Sequence, residues 1–176
     1  MSTAKLLPAV EAALAGHGLT YEVLACDPDL ADTAAFCAHY GFTLEQSANT
    51  ILVASKKVEP ARYAVCVVLG TARLDVNKKV RELLGVKRAS FADAETTEAV
   101  TGMEIGGVTA IGTSGHPVYI DAAVIGRERV VMGGGNRSSK LLLKPEELLK
   151  LPRAVVIEGL AKPGAPPNAT DRAGNG

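Results

Sequence analysis

Five glycines fall within GMEIGGVTAIGTSGHP, from Gly102 to Pro117. Inside it, GGVTAIG (Gly106 to Gly112) has the composition of a backbone that can approach a ligand closely. Its amide N–H groups could face inward and stabilise a developing oxyanion without a charged side chain. The same residues also suit a plain glycine-rich turn, which is the simpler account by composition alone. His116, just before Pro117, is the histidine kept as a site candidate. His17 and His39 fall beside predicted helix ends, and the three share no ligand spacing. The run GGGNRSSK (Gly133 to Lys140) has the composition of a phosphate loop but not the GxxxxGK[ST] spacing, and strands flank it. It reads as a tight β-connection. GxSxG is absent, which argues against a nucleophile-elbow hydrolase. Cys26, Cys37 and Cys66 form no CxxC pair and read as reduced thiols of a cytoplasmic protein.

The elements that must position these residues are a mixture. A helix is predicted from a Ser2 cap to about Leu14, and a strand over Thr20 to Ala25. Asp32 caps a predicted helix that runs to Tyr40 and stops at Gly41. Thr43 and Gln46 have capping-box spacing. NTILVAS (Asn49 to Ser55) and RYAVCVVLG (Arg62 to Gly70) are apolar and β-branched, joined by a turn containing Pro60, and predict a hairpin. Asp75 and Asp93 cap two further helices, ending at Gly85 and Gly102. KRASFA, VYID, RVVMGG, KLLL and RAVVIEGL read as strands, and Pro145 opens a helix at PEELLK. This order predicts an α/β domain over residues 1–161, with a mixed, barrel-like β-sheet flanked by helices. Residues 162–176, rich in Pro, Gly, Asn and Ala, predict a disordered tail.

The chain has 176 residues, 47% of them hydrophobic and 22% charged, enough for one core without staples. Nineteen basic and nineteen acidic side chains cancel, but not locally. Residues 1–49 hold Lys5 against six acidic side chains. Residues 50–88 hold nine basic ones: Lys56, Lys57, Arg62, Arg73, Lys78, Lys79, Arg81, Lys87 and Arg88. A second basic group runs Arg127, Arg129, Arg137, Lys140, Lys144. Segregation of this kind suits a phosphate backbone, although solvated helix and strand faces explain it equally by composition. MSTAKLLPAVEAAL lacks an export-signal pattern, and no apolar run reaches the ~20 residues of a membrane span.

Taken in order, DTAAFCAHYG, SANTILVAS, the strand ending VVLG, RLDVNKKVRELLG, TGMEIGGVTAIG, VYIDAAV and a GG turn before KPEEL resemble the YbaK/EbsC family. That family includes editing domains associated with prolyl-tRNA synthetase. The resemblance runs from about Leu6 to Ala161. It implies hydrolysis, in trans, of the ester joining a small mischarged amino acid to the 3′ end of a tRNA. It implies aminoacyl-tRNA as partner, an aminoacyl-tRNA synthetase as a further one, and neither a metal nor an organic cofactor. Water or a substrate group would attack, so no protein nucleophile is needed.

The resemblance places Asn49, Gly106, Gly107 and Gly112 at the chemistry, with loop amides as donors to the ester carbonyl. It places Thr50, Ile111, His116, Asp121 and Gly134 along the substrate. Two positions depart from the family pattern. Asn49 stands where the family has a lysine, and Ala110 where its loop has a proline. Lys56, Lys78 and Lys79 are candidates to restore the missing charge. The departures leave a second reading open, a module that binds an aminoacyl-tRNA end or an amino-acid derivative without hydrolysing it. A shape lacking a pocket at Asn49 and the glycine loop would instead suit protein–protein contact.

Overall fold

The computed structural model describes residues 4–113 and 115–164. Helix α1 (Pro8–Gly16) turns Val10 and Leu14 inward. It begins later than predicted, with Pro8 at its first position, where a missing N–H costs no hydrogen bond. Ser2, the predicted cap, lies outside the described residues. Strand β1 (Glu22–Ala25) leads to α2 (Thr33–Tyr40), which Gly41 ends in the left-handed conformation, φ 79°. The Thr43–Gln46 capping box forms around a short 3-10 turn.

The predicted hairpin is β2 (Ala48–Ser55) and β3 (Tyr63–Leu69), followed by a short β4 (Ala72–Leu74). The helix predicted after Asp75 divides. A π-turn over Val76–Val80, capped by the Asp75 side chain at 3.2 Å from Lys78 N, runs into α3 (Arg81–Leu84). Strand β5 (Ala89–Phe91) and α4 (Ala94–Thr101) follow, the helix capped by Asp93. Then come β6 (Val118–Asp121), α5 (Ala122–Ile125), β7 (Val130–Gly133) and β8 (Ser139–Leu143). PEELLK is a 3-10 turn rather than an α-helix. Strands β9 (Ala154–Ile157) and β10 (Ala161–Pro163) complete the order. Lys162 and Pro163, expected in the tail, pair with Arg73 and Ala72 of β4. The rest of the expected tail, from residue 165, lies outside the described residues.

The sheet is mixed, as expected. Its five-stranded part has the order β5-β2-β3-β6-β9, antiparallel through β3 and parallel beyond it. An antiparallel sheet β1-β8-β7 meets it where Ser47 bridges Val131. The β2–β3 pair is buried on both faces, hence its unbroken apolar sequence. Leu52, Val65 and Val67 face the main core with α1. Ile51, Val53, Cys66 and Val68 face a second core with Val76, Val80 and Leu84. A third cluster, around Phe36, Cys37 and Val131, fills the space between α2 and the β1-β8-β7 sheet. Among the described residues no helix is long and apolar enough to cross a membrane.

Candidate active site

The site follows from the hydrogen-bond register of β2. Ser47 O accepts from Gly70 N at 2.9 Å, and Ser55 N donates to Arg62 O at 2.8 Å. Odd-numbered residues of β2 therefore bond to β3. Antiparallel alternation turns the even-numbered peptide groups to the other edge. There Leu52 O accepts from Ala92 N at 2.9 Å. Strand β5 covers that edge from Val53 to Ser55, and β7 reaches it at the Ser47–Val131 bridge. Between the two, the edge at Thr50 faces a cavity of about 480 Å³. The cavity is walled by Asn49 to Leu52, the start of α2, Gly106 of the glycine loop, and Gly133 and Lys140 of β7 and β8.

Polar groups are few in this space and mostly committed. Asn49 Oδ1 accepts from Thr33 Oγ1 at 2.7 Å and from Ser47 Oγ at 3.4 Å, which leaves the amide NH2 to donate. The Thr50 hydroxyl is buried and has no hydrogen-bond partner. Lys140 is only 6% exposed. Its Nζ donates to Ala31 O at 2.6 Å and Gly106 O at 2.7 Å, and lies 5.4 Å from the centre of the Phe36 ring. Burial pulls its pKa below the ordinary lysine value, while the nearby Asp32 carboxylate acts the other way.

Two basic side chains of GGGNRSSK fasten the cavity's rim. Arg137 Nε donates to Pro28 O at 2.9 Å, and its Nη1 to Ile105 O at 2.8 Å and to Asp32 Oδ1 at 3.3 Å. Asp32, predicted as the α2 cap, spends its carboxylate on this ion pair rather than on the helix. Lys140 joins the same two segments from inside. The run is thus a clamp between the lead-in to α2 and the glycine loop.

Asn49, Thr50 and Gly106 line the cavity, and the other expected site residues do not. Gly107 lies behind Gly106. Its N–H donates to Glu104 O at 2.9 Å and its carbonyl accepts from Gly135 N at 2.7 Å. A Cβ at Gly107 would collide with the Asn136 carbonyl, and one at Gly133 with the Gly107 carbonyl. The glycines serve here to stack one backbone on another, which commits the Gly107 amide elsewhere. Gly112, at φ 95°, packs on Ala9 of α1, and Ile111 is in the main core. Ala110, where the family has proline, is buried in that core as well. His116 sits edge-on to Tyr63, their ring centres 5.5 Å apart. Gly134 packs against Ser139 and Leu6. Asp121 is buried between β6 and β10 and accepts from Ala161 N at 3.4 Å. Lys56, Lys78 and Lys79 are also absent from the cavity wall.

Sequence reading missed Lys140, although a signal existed. In SKLLL the alternation puts Lys140 on one face with Leu142, opposite Ser139, Leu141 and Leu143. A lysine on an inward strand position needs a partner or a purpose.

The sequence matches the aminoacyl-tRNA editing domain family over residues 27–151. A protein described as hypothetical superposes with a TM-score of 0.77 at 25% identity, covering 88% of this chain and 99% of the other. A candidate trans-editing enzyme for prolyl-tRNA synthetase superposes at 0.74 and 25% identity, covering 91% and 100%. A candidate signal transduction protein from Marinobacter aquaeolei VT8 shares the fold at 0.61 and 16% identity; there the matched region is 31% of the longer chain. An α/β fold with a pocket at an open strand edge is the class defined here. The chain belongs to the aminoacyl-tRNA editing domain family.

Proposed function

We propose that the protein is a trans-acting aminoacyl-tRNA deacylase and that the cavity at the open edge of β2 is its hydrolytic site. The observation that carries this is the meeting of a free strand edge, an unpartnered buried hydroxyl and a buried ammonium in about 480 Å³. Ligand sites of a few hundred Å³ hold one small molecule, here a small aminoacyl group with part of the terminal ribose. A bulkier amino acid is refused by size, as in an editing sieve.

The lining offers no nucleophile paired with a base. The Thr33 and Ser47 hydroxyls are given to Asn49, Thr50 has no partner, and no histidine is in the wall. The attacking group is therefore a substrate group or water. When water attacks, its oxygen bonds to the acyl carbon, the ester C–O bond breaks, and the ribose oxygen leaves with a proton. The Asn49 NH2 and the Thr50 N–H are the donors placed to hold the carbonyl oxygen as it gains charge. The basic side chains of residues 50–88 receive the tRNA backbone, and a synthetase supplies the mischarged substrate.

The test is deacylation of a panel of mischarged tRNAs, small residues on tRNA(Pro) first, by wild type and Asn49→Ala. We expect one species to be hydrolysed, with kcat/KM about tenfold lower in the variant, the loss of one transition-state hydrogen bond. Folded wild-type protein inert across the panel would overturn the reading in favour of a module that only binds.

A further inference from the structure

We propose that Lys140 on β8 supplies the positive charge that Asn49 on β2 does not, holding the ester-bearing end of the substrate through its third N–H. The inference rests on the deacylase reading and adds a substrate-binding residue to it. Neither Lys56, Lys78 nor Lys79 lines the cavity, whereas Lys140 does. An ammonium has three donors in a tetrahedral arrangement. Two are fixed on Ala31 O and Gly106 O, so the direction of the third is set by the fold rather than by a flexible stem. The neighbouring Phe36 ring is compatible with a cation but accepts no full hydrogen bond at 5.4 Å.

Position supports the assignment. Lys140 pairs with Gly133 on β7 and Leu24 on β1, so it lies on the central strand of its sheet. Val131 of the same sheet bridges Ser47, two residues before Asn49. Both positions 49 and 140 line one cavity, each held to the lead-in to α2, Asn49 by Thr33 and Lys140 by Ala31. The cation thus stands at position 140 instead of 49, and the cavity keeps a positive charge. The carbonyls of Ala31 and Gly106 cradle the ammonium without neutralising it. Asp32, the acidic side chain in the lining, is taken by Arg137.

The experiment compares wild type with Lys140→Met, Lys140→Arg and the double variant Asn49→Lys/Lys140→Met on the panel species that wild type hydrolyses, with thermal unfolding of each. Lys140→Met is expected to lower kcat/KM at least tenfold, and Asn49→Lys to restore a large part of it in that background. The pH profile carries the second reading. Activity of wild type should fall on the alkaline side as Lys140 loses its proton, and the fall should move to higher pH in Lys140→Arg, which keeps its charge. Lys140→Met with wild-type activity, or an alkaline fall unmoved by arginine, would overturn the proposal. So would activity that rises as Lys140 deprotonates, the mark of a neutral amine acting as base. If the methionine variant does not fold, the arginine profile decides. Wild type inert on every substrate would instead overturn the deacylase reading itself.

Discussion

At the scale of single residues, the site is a small number of polar atoms whose partners are nearly all accounted for. Thr50 is the exception, a buried hydroxyl with no protein partner in the wall of the cavity. An unsatisfied buried hydroxyl costs about 1–3 kcal/mol. Thr50→Val is therefore expected to leave the melting temperature unchanged or raised while lowering kcat/KM about tenfold. A variant less stable and fully active would show that the hydroxyl serves folding instead. The place of Asn49 and Thr50 in the cavity wall follows the family resemblance, which aligns them on a recognisable strand motif. The places of Gly107 and Gly112 do not. A glycine announces freedom of approach but not what approaches, and here it is Asn136 and α1. Lys140 was counted only as part of a basic group, because charge in a sequence carries no label of burial.

Among the elements, the glycine loop and the β7–β8 turn behave as one unit. Gly107 and Gly133 let their backbones touch, Gly135 N donates to Gly107 O, and Arg137 ties the rim. Gly107→Ala must displace the Asn136 carbonyl. A loss of about 1–3 kcal/mol is expected by chemical denaturation, the cost of overpacking, together with loss of deacylation. A fully stable, active variant would show the stacking to be slack.

Asp121 tests a different joint. Burial pushes its carboxyl above the usual range, against the amides of Ala161, Leu160 and Ala122. The folded state thus holds this proton to higher pH than the unfolded chain does. Stability falls as pH rises from about 4, the unfolded value, through the raised folded value. Asp121→Asn removes that fall, so its stability relative to wild type should grow with pH across this window. A difference flat in pH would count against it. The sequence announced β2, β3 and the capped helices through long periodic runs and side-chain caps. It was silent on β4, α5 and β10, because three or four residues hold too little pattern, and those elements form only through their neighbours.

For the whole molecule, the zero net charge conceals a basic end. Lys56, Lys87 and Arg88 are exposed around a cleft that also includes Asn77 and Arg81. Lys56, just past the end of β2, is seven residues from Asn49, roughly 23 Å at the rise of a strand. That separation suits phosphates a few nucleotides inside the 3′ end. Lys56→Glu with Arg88→Glu should weaken tRNA binding and reduce the slope of log affinity against log salt by roughly one per lost phosphate contact. Hydrolysis of a minimal aminoacyl-adenosine ester should be unaffected. Equal losses on both substrates would place these residues elsewhere in the mechanism.

The fold class was legible because apolar runs and caps survive without knowledge of contacts. The separation of two cores by one strand pair was not, since a run buried on both faces looks the same as one buried on either. That burial has a kinetic corollary in hydrogen–deuterium exchange. The amides of Asn49 and Ile51, bonded into β3, should be among the slowest in the protein, while the amide of Thr50 between them, turned to the cavity, should trade its proton far sooner. A bound substrate analogue would then announce itself as sudden protection of a single amide in the middle of a strand that is otherwise already silent.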